Sequence, residues 1–224
     1  AIDRYDDIIN VSNAHGLYLC VNDECMRMVK LDGALNQTTD NFVYQNGNIK
    51  VAEAFYINGK TLIFTQVADH VKFLQYSQDR GFICQFSQDK STLLQILPVL
   101  ASNEQTFLAL IKSQNSLTIS SFDADLRPVQ SHDLPYSQRA IMLATDIGIE
   151  VLIDGHIIRY CPHLDLLAES EIANPELVHN ATEYHTVSGV ENFFIAKREK
   201  GFDLFKKTGD NLTVVFECSQ DVLP

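Results

Sequence analysis

The sequence predicts an all-β fold assembled from a repeated unit of four short strands. Short apolar runs recur along the 224 residues, and clusters of Asn, Asp, Ser, Gly and Gln separate them, which is the pattern of strands joined by turns. The same succession of runs and turns occurs five times, at steps of 44, 45, 44 and 42 residues. A period in the low forties with four strands per unit is typical of a β-propeller, so we predict about five four-stranded antiparallel blades.

The period is measured from the apolar pair that opens the second strand of each unit. These pairs are Tyr18-Leu19, Leu62-Ile63, Phe107-Leu108, Val151-Leu152 and Phe193-Phe194. The third unit shows the pattern most clearly, with strands predicted at residues 93–100, 107–111, 117–122 and 126–131. A single blade cannot bury both of its faces, so neighbouring blades are expected to stack face to face around a channel.

The five units follow one another without a linker, so we predict one domain, residues 1–224, with units at about 1–50, 51–92, 93–136, 137–182 and 183–218. The first unit ends in a polar tract, 36–48, and its outermost strand is predicted to be short or irregular. The fourth unit contains Asp154-Gly155, a favoured two-residue hairpin turn. The connector 173–182 includes a segment, 175–178, that suits a helical turn.

The repeat resembles a degenerate WD40-like propeller over nearly the full length of the chain. The sequence contains no Trp, so the Trp-Asp dipeptide of that repeat is absent, and Leu31-Asp32 and Phe122-Asp123 are the nearest counterparts. The resemblance is to the class and not to a particular family within it. A β-sandwich with regularly spaced turns is the alternative fold.

The sequence favours a closed ring, because five units use nearly all residues and proteins tend to hide sheet faces and edges. The expected core includes Leu62, Phe64, Phe107, Leu108, Val151, Leu152, Phe193 and Ile195. An open ring is the alternative. It would leave two apolar blade faces for a partner to cover, and Leu212, Val214 and Phe216 would face the gap.

Composition limits the classes of partner. The net charge is −12 and the isoelectric point is about 4.9, which opposes attraction to nucleic acid or to an anionic membrane. The basic residues at 197–200 and 206–207 are interpreted as a solvated hairpin. The sequence contains no run of 18 apolar residues, so no membrane-spanning segment is predicted.

Five scattered cysteines indicate reduced thiols and an intracellular location, cytoplasmic or nuclear. No basic segment followed by an apolar one opens the sequence, so no signal peptide is predicted, although one removed before Ala1 would leave no trace.

Catalytic chemistry would need carboxylates on the innermost strands, projecting into the channel as general acid and nucleophile or base. Asp7, Glu53 and Glu183 are the candidates, but their interpretation as solvated acidic residues is favoured, because five irregular strands will present some carboxylates in any case. His70 and His156, with Asp69 and Asp154, fall on equivalent turns of units two and four, which are not neighbours, so no metal site and no cofactor are predicted.

A binding rim needs less special chemistry, because loops on a rigid ring concentrate binding residues. The turns between second and third strands and the connectors between blades are expected to share one rim. The candidate rim residues are Asp23, Tyr44, Asp69, His70, Tyr136, Asp154, His156, Arg198 and Lys200.

These observations favour a noncatalytic protein–protein interaction module, or scaffold subunit, within a larger assembly. Its expected partner is another protein or peptide, and the chain is expected to be a monomer or a subunit of a hetero-complex. The alternative is a five-bladed carbohydrate-binding or glycoside-cleaving propeller that uses the channel carboxylates.

Overall fold

The computed structural model describes residues 6–32, 37–101, 104–137, 139–146, 148–187 and 192–219. It contains five four-stranded antiparallel sheets, each made of four strands consecutive in the sequence, and each sheet is one blade. The predicted fold, a β-propeller of five four-stranded blades, is confirmed.

The strand bounds of the five blades are as follows. Blade 1 comprises β1 Asp7–Asn10, β2 Leu17–Val21, β3 Cys25–Leu31 and β4 Gln37–Gln45, and blade 2 comprises β5 Ile49–Ile57, β6 Lys60–Val67, β7 His70–Ser77 and β8 Gly81–Asp89. Blade 3 comprises β9 Ser91–Ala101, β10 Glu104–Ser113, β11 Leu117–Phe122 and β12 Pro128–Leu134. Blade 4 comprises β13 Ala140–Thr145, β14 Gly148–Ile153, β15 His156–Tyr160 and β16 Leu166–Glu171, and blade 5 comprises β17 Glu183–Thr186, β18 Phe193–Arg198, β19 Gly201–Thr208 and β20 Asn211–Cys218.

Three local predictions have different outcomes. The hairpin between β14 and β15 turns at Asp154 and Gly155 with φ of +49° and +94°, the geometry that a two-residue turn requires. The connector after blade 4 contains one turn of 3-10 helix, Pro175–Val178. The outermost strand of blade 1 is not short but it is irregular: β4 has nine residues, and its pairing with β3 shifts register at a bulge. Backbone hydrogen bonds sustain this strand where an apolar pattern is missing.

Hydrophobic cores lie between successive blades. Side chains alternate across each sheet, so each blade gives one face to the blade before it and the other face to the blade after it. Four buried clusters result, between blades 1 and 2, 2 and 3, 3 and 4, and 4 and 5. In the part of the chain that the structure describes, no such cluster joins blade 5 to blade 1. A closed ring would need that fifth core, so the favoured expectation of closure does not match the packing.

The predicted core residues follow the same division. The six that belong to blades 2, 3 and 4 are fully buried: Leu62, Phe64, Phe107, Leu108, Val151 and Leu152. Phe193 and Ile195 are only partly buried, whereas their neighbours Phe194 and Ala196 lie in the core against blade 4. Phe193 and Ile195 therefore occupy the face of blade 5 that is turned away from blade 4.

A bulge in blade 5 changes which residues of β20 share a face. The ladder shifts between Leu204 and Phe205, so Phe216 pairs with Leu204 while Val214 pairs with Phe205. Leu212 is buried in the core against blade 4, and Val214 packs against that core. The expectation that these two residues face a gap is therefore wrong, and only Phe216 lies on the uncovered face.

Tyr184, in the core between blades 4 and 5, has a hydroxyl that is buried and has no hydrogen-bond partner among the described residues. Burial, which excludes the charged phenolate, raises the pKa of Tyr184 to about 12. Unfolding returns this pKa to about 10, so the stability that the neutral phenol confers is complete below pH ~10 and is lost as the pH rises toward 12.

We therefore expect Tyr184→Phe to leave stability near neutral pH unchanged or slightly higher, because no hydrogen bond is lost. Between pH ~10 and ~12 the parent should lose roughly 2–3 kcal/mol that the variant retains. Urea denaturation at a series of alkaline pH values measures the difference. Parallel curves for the two proteins would contradict the burial of this hydroxyl.

The described residues include no helix of the length and apolar character needed to span a bilayer.

Candidate functional site

The loops of the propeller divide between two rims. We use the name second-turn rim for the turns between the second and third strands together with the connectors between blades. Backbone hydrogen bonds join these two groups of loops: Ser91 N donates to Asp69 O at 2.9 Å, and Asn48 N donates to Asp23 O at 2.6 Å. On the opposite rim, Lys60 Nζ lies 2.9 Å from Asp125 Oδ1.

A pocket of about 480 Å³ opens on the second-turn rim between blades 2 and 3. Its lining comes from the second turns of both blades and from the connectors that follow them. The lining residues are Asp69, Lys90, Ser91, Thr92, Leu94, Lys112, Ser113, Gln114 and Tyr136. Asp69 and Tyr136 were expected on this rim from the sequence, whereas Lys90 and Lys112 were not singled out.

The connector between blades 2 and 3 is fixed in place by hydrogen bonds. Gln66 Nε2 donates to Ser91 O at 2.8 Å, and Gln66 Oε1 accepts from Leu93 N at 2.9 Å. Ser91 is buried, and its hydroxyl donates to Asp89 O at 3.0 Å. Lys90, in the tight turn between them with φ of +49°, is exposed beside the pocket. This side of the pocket is thus a connector whose backbone is fixed by hydrogen bonds and which carries Lys90.

The opposite wall carries a second lysine and an aromatic ring. Tyr136 is 48% exposed, and Lys112 Nζ lies 5.5 Å from the centroid of its ring, within the range of a cation–π contact. This contact orients an exposed phenol beside an ammonium group. Leu94, also at the surface, adds apolar area.

His70 engages the acidic side chains beside the pocket. Its Nδ1 lies 2.7 Å from Asp69 Oδ1 and its Nε2 lies 3.3 Å from Asp89 Oδ1. No ion pair is found for Lys90 or Lys112 within the described ranges. The pocket therefore presents two ammonium groups and a phenol, while its one carboxylate is in contact with an imidazole.

The other candidate rim residues are distributed over blades 1, 4 and 5. Tyr44 packs against Phe82 with ring centroids 5.9 Å apart, and its hydroxyl accepts from Asn46 Nδ2, so it supports the core of blades 1 and 2. Asp23 is exposed in its turn. His156 is exposed too, with Nδ1 3.9 Å from Glu171 Oε1.

Asp154 and Arg198 have structural partners. Arg139 Nε donates to Asp154 Oδ1 at 2.6 Å, and the same guanidinium donates to His179 O at 3.0 Å, which fastens the connector between blades 4 and 5. Arg198 forms an ion pair with the buried Asp203. Lys200 is exposed in the adjoining turn. The structure thus brings Asp69, His70 and Tyr136 to one place and leaves the remaining candidates apart from it.

The candidate channel carboxylates lie on the inner strands of three blades. The innermost strands contact one another in the order β1, β5, β9, β13, β17, so Asp7 and Glu183 lie on the first and last strands of this order. Glu183 Oε2 lies 3.4 Å from Lys197 Nζ, and this lysine, helped by His185, lowers the pKa of the Glu183 carboxyl. Desolvation raises the pKa of Glu53. Opposite pKa shifts of two carboxyl groups indicate a general acid and a general base only when the two groups lie close together.

Metal-ligating side chains do not converge in the described residues, where no group of three or more His, Cys, Asp or Glu could hold an ion. His70 and His156 lie on blades 2 and 4 with blade 3 between them.

Comparison with known proteins gives similarity in structure only. No protein-family model matches the sequence, and no curated protein matches it. Among solved structures, the N-terminal domain of Nup159 aligns with a TM-score of 0.58 and 13% identity over 96% of this chain and 61% of that domain.

Two other solved structures align over most of this chain. A protein assigned as a 6-phosphogluconolactonase from Bacteroides fragilis aligns with a TM-score of 0.58 and 11% identity over 94% of this chain and 70% of its own. The AfRom2 CNH domain aligns with a TM-score of 0.59 and 8% identity over 96% of this chain and 72% of its own. The chain spans about three fifths of the Nup159 domain. These proteins are propellers, and the similarity shows that this chain has the β-propeller fold.

Proposed function

We propose that this propeller is a noncatalytic protein-interaction module of a larger assembly, and that it binds an acidic peptide segment of a partner protein in the pocket between blades 2 and 3. The observation that carries the proposal is the pair of lysines, Lys90 and Lys112, that line the pocket together with the exposed Tyr136. In a chain of net charge −12, two ammonium groups at one pocket, neither in an ion pair with a described residue, favour an anionic ligand.

The pocket suits a peptide better than a small metabolite. It is open to the rim, and its polar groups, Ser113 and Gln114 among them, lie along the edge of a turn. Tyr136 offers a large amphipathic contact with few rotatable bonds, as hot-spot residues do. An aromatic or aliphatic anchor in the peptide would contact Tyr136 and Leu94 while its carboxylates meet the lysines.

The glycoside-cleaving alternative has less support, because Asp7 and Glu183 lie on the first and last inner strands and Glu183 is paired with Lys197. An intracellular location, cytoplasmic or nuclear, forms part of the proposal. It is supported by the five cysteines, all of which are free thiols.

Selecting peptides from a random display library on the purified chain tests the proposal. The selected peptides should be rich in Asp and Glu, and the Lys90→Ala/Lys112→Ala variant should bind them at least about tenfold more weakly, because each charged hydrogen bond contributes roughly 1.5–3 kcal/mol. Tyr136→Ala should cost a similar factor, and raising the salt concentration should weaken binding by the parent.

Lys60→Ala is the matched control, since it removes one ammonium group from the opposite rim and should leave peptide affinity unchanged. Peptides without acidic residues, or equal binding by the double variant, would refute the proposed site. Hydrolysis of a glycan by the parent, lost in Glu53→Gln, would favour the enzymatic alternative.

A further inference from the structure

Among the described residues, no other blade covers one face of the blade 5 sheet, and that face is largely apolar. Phe202 is 37% exposed and Phe216 is 53% exposed, with ring centroids 6.1 Å apart. Phe193, Ile195 and Leu204 lie on the same face and are partly buried. We use the name blade 5 face for these five residues.

The blade 5 face repeats the residue pattern of a buried inter-blade face. In blade 2, Phe64 pairs with Phe73, and in blade 5 the equivalent pair is Ile195 with Leu204. Counting outward from these pairs, Leu62 corresponds to Phe193 and Val71 corresponds to Phe202. The blade 2 residues are fully buried against blade 3.

The correspondence extends to the outermost strand. In blade 2, Phe86 pairs with Phe73 and packs against the core shared with blade 3. In blade 5, Phe216 pairs with Leu204. Terminal repeats of a stacked protein need a polar outer face, and this one carries five apolar side chains at interface positions instead. The blade 5 face therefore has the residue composition of a face that packs against a neighbouring blade.

We propose that the blade 5 face is the docking surface for a partner blade, a four-stranded propeller sheet outside these 224 residues with an apolar face bordered by carboxylates. This inference does not rest on the peptide pocket, which lies between blades 2 and 3. The propellers that this chain resembles extend beyond the part that it covers, with 61%, 70% and 72% of their lengths aligned.

The border of the blade 5 face indicates the charge of the partner. Lys197 and Lys206 stand where blade 2 has Gln66 and Gln75. Gln66 bonds to the backbone of the first strand of blade 3. At the equivalent place Lys197, which also pairs with Glu183 at 3.4 Å, would donate its other hydrogens to carboxylate or carbonyl oxygens of the partner blade. Lys206, with Nζ 5.8 Å from the centroid of the Phe193 ring, would do so at the other margin.

A second copy of this chain fits the blade 5 face less well. A twofold contact would place the same surface on both sides, so Lys197 and Lys206 of one copy would approach those of the other. Like charges directly opposed across an interface disfavour association.

The experiment supplies the 224-residue chain with a sixth blade. A copy of residues 90–136, which contains blade 3, is appended after Ser219, because Ser219 corresponds to Asp89 at the end of blade 2. The copy presents Phe107, Ala109 and Phe122, the residues that meet blade 2 in the parent. Docking should slow amide exchange in β18–β20 at least about tenfold.

Two matched variants make the result specific. The added protection from exchange should be lost when Phe107→Ser and Phe122→Ser are introduced together into the appended copy alone. It should also be lost with Phe216→Ser in blade 5. The control, Leu166→Ser on the outer strand of blade 4, should keep the added protection. Sedimentation of the unextended chain should give a monomer. Unchanged exchange in the extended chain would overturn the proposal. Concentration-dependent self-association that hides Phe216 would also overturn it, in favour of a second copy.

Discussion

Replacing Phe107 with alanine should lower the free energy of unfolding by about 3–5 kcal/mol, the range for a fully enclosed phenylalanine. The Phe107 ring is fully buried between blades 2 and 3, with its centroid 5.0 Å from that of Phe64 and 5.2 Å from that of Phe55. Ladder hydrogen bonds hold β10 between β9 and β11, so the backbone has little freedom to close the cavity. Urea denaturation with an unchanged m-value measures the loss.

Val129→Ala is the control, because Val129 is 67% exposed on the outermost strand of blade 3. Its effect should stay within about 0.5 kcal/mol. If Phe107→Ala unfolded at the same urea concentration as the parent, the core assigned to blades 2 and 3 would not exist in solution.

The number and class of the blades could be predicted because the period is a property of chain length and turn spacing. Which face each residue occupies could not be predicted in the same way. In the aligned apolar pairs, Phe107 and Val151 face the preceding blade, whereas in the second and fifth units Ile63 and Phe194 do so. A difference of one residue in a step of 42–45 reverses the face, since side chains alternate along a strand.

Whether the ring closes could not be predicted from the sequence, for a related reason. Phe193 and Ile195 have the residue types of a buried face, and a sequence is the same whether or not a neighbour covers that face. The bulge beside Leu204 also left no mark in the apolar pattern, yet it moved Leu212 and Val214 into the core against blade 4.

The candidate site was predicted as a rim but not as a pocket. Topology alone places the second turns beside the connectors, which is why Asp69 and Tyr136 could be chosen. The pocket depends on the gap that side chains leave between blades 2 and 3. Lys112 was assigned only to a turn, and the signal that could have selected it was its position in the second turn next to Asn115 in an otherwise acidic chain.

A network of charged residues between blades 4 and 5 was also missed. Lys207, assigned from the sequence to a solvated hairpin, is instead buried, with its side chain only 2% exposed. Its Nζ lies 2.5 Å from Glu150 Oε2 and 2.6 Å from Gly209 O. Arg159 Nε donates to Glu150 Oε1 at 2.8 Å, and Arg159 also pairs with Asp210. Because side chains alternate along a strand, Glu150 on β14 and Lys207 on β19 both point into the space between blades 4 and 5.

Glu150→Ala should therefore cost about 3–5 kcal/mol of unfolding free energy, because it leaves the ammonium group of Lys207 buried without a counter-ion. Arg159 keeps Asp210 and Ser170 as partners, so the loss concentrates on Lys207. The more exposed pair Arg139–Asp154 provides the comparison. Asp154→Asn, which keeps a residue type that tolerates the φ of +49° in this turn, should cost at most about 1 kcal/mol.

The double variant Glu150→Leu/Lys207→Met separates the penalty of an unpaired charge from the value of the pair. Replacing both charges with apolar groups removes the desolvation cost along with the attraction, so the double variant should recover most of the stability that Glu150→Ala loses. A double variant as unstable as the sum of its single changes would show that the ion pair itself stabilises the contact of blades 4 and 5. A mild effect of Glu150→Ala would show instead that solvent reaches Lys207 and that the two blades are less tightly packed than their shared core indicates.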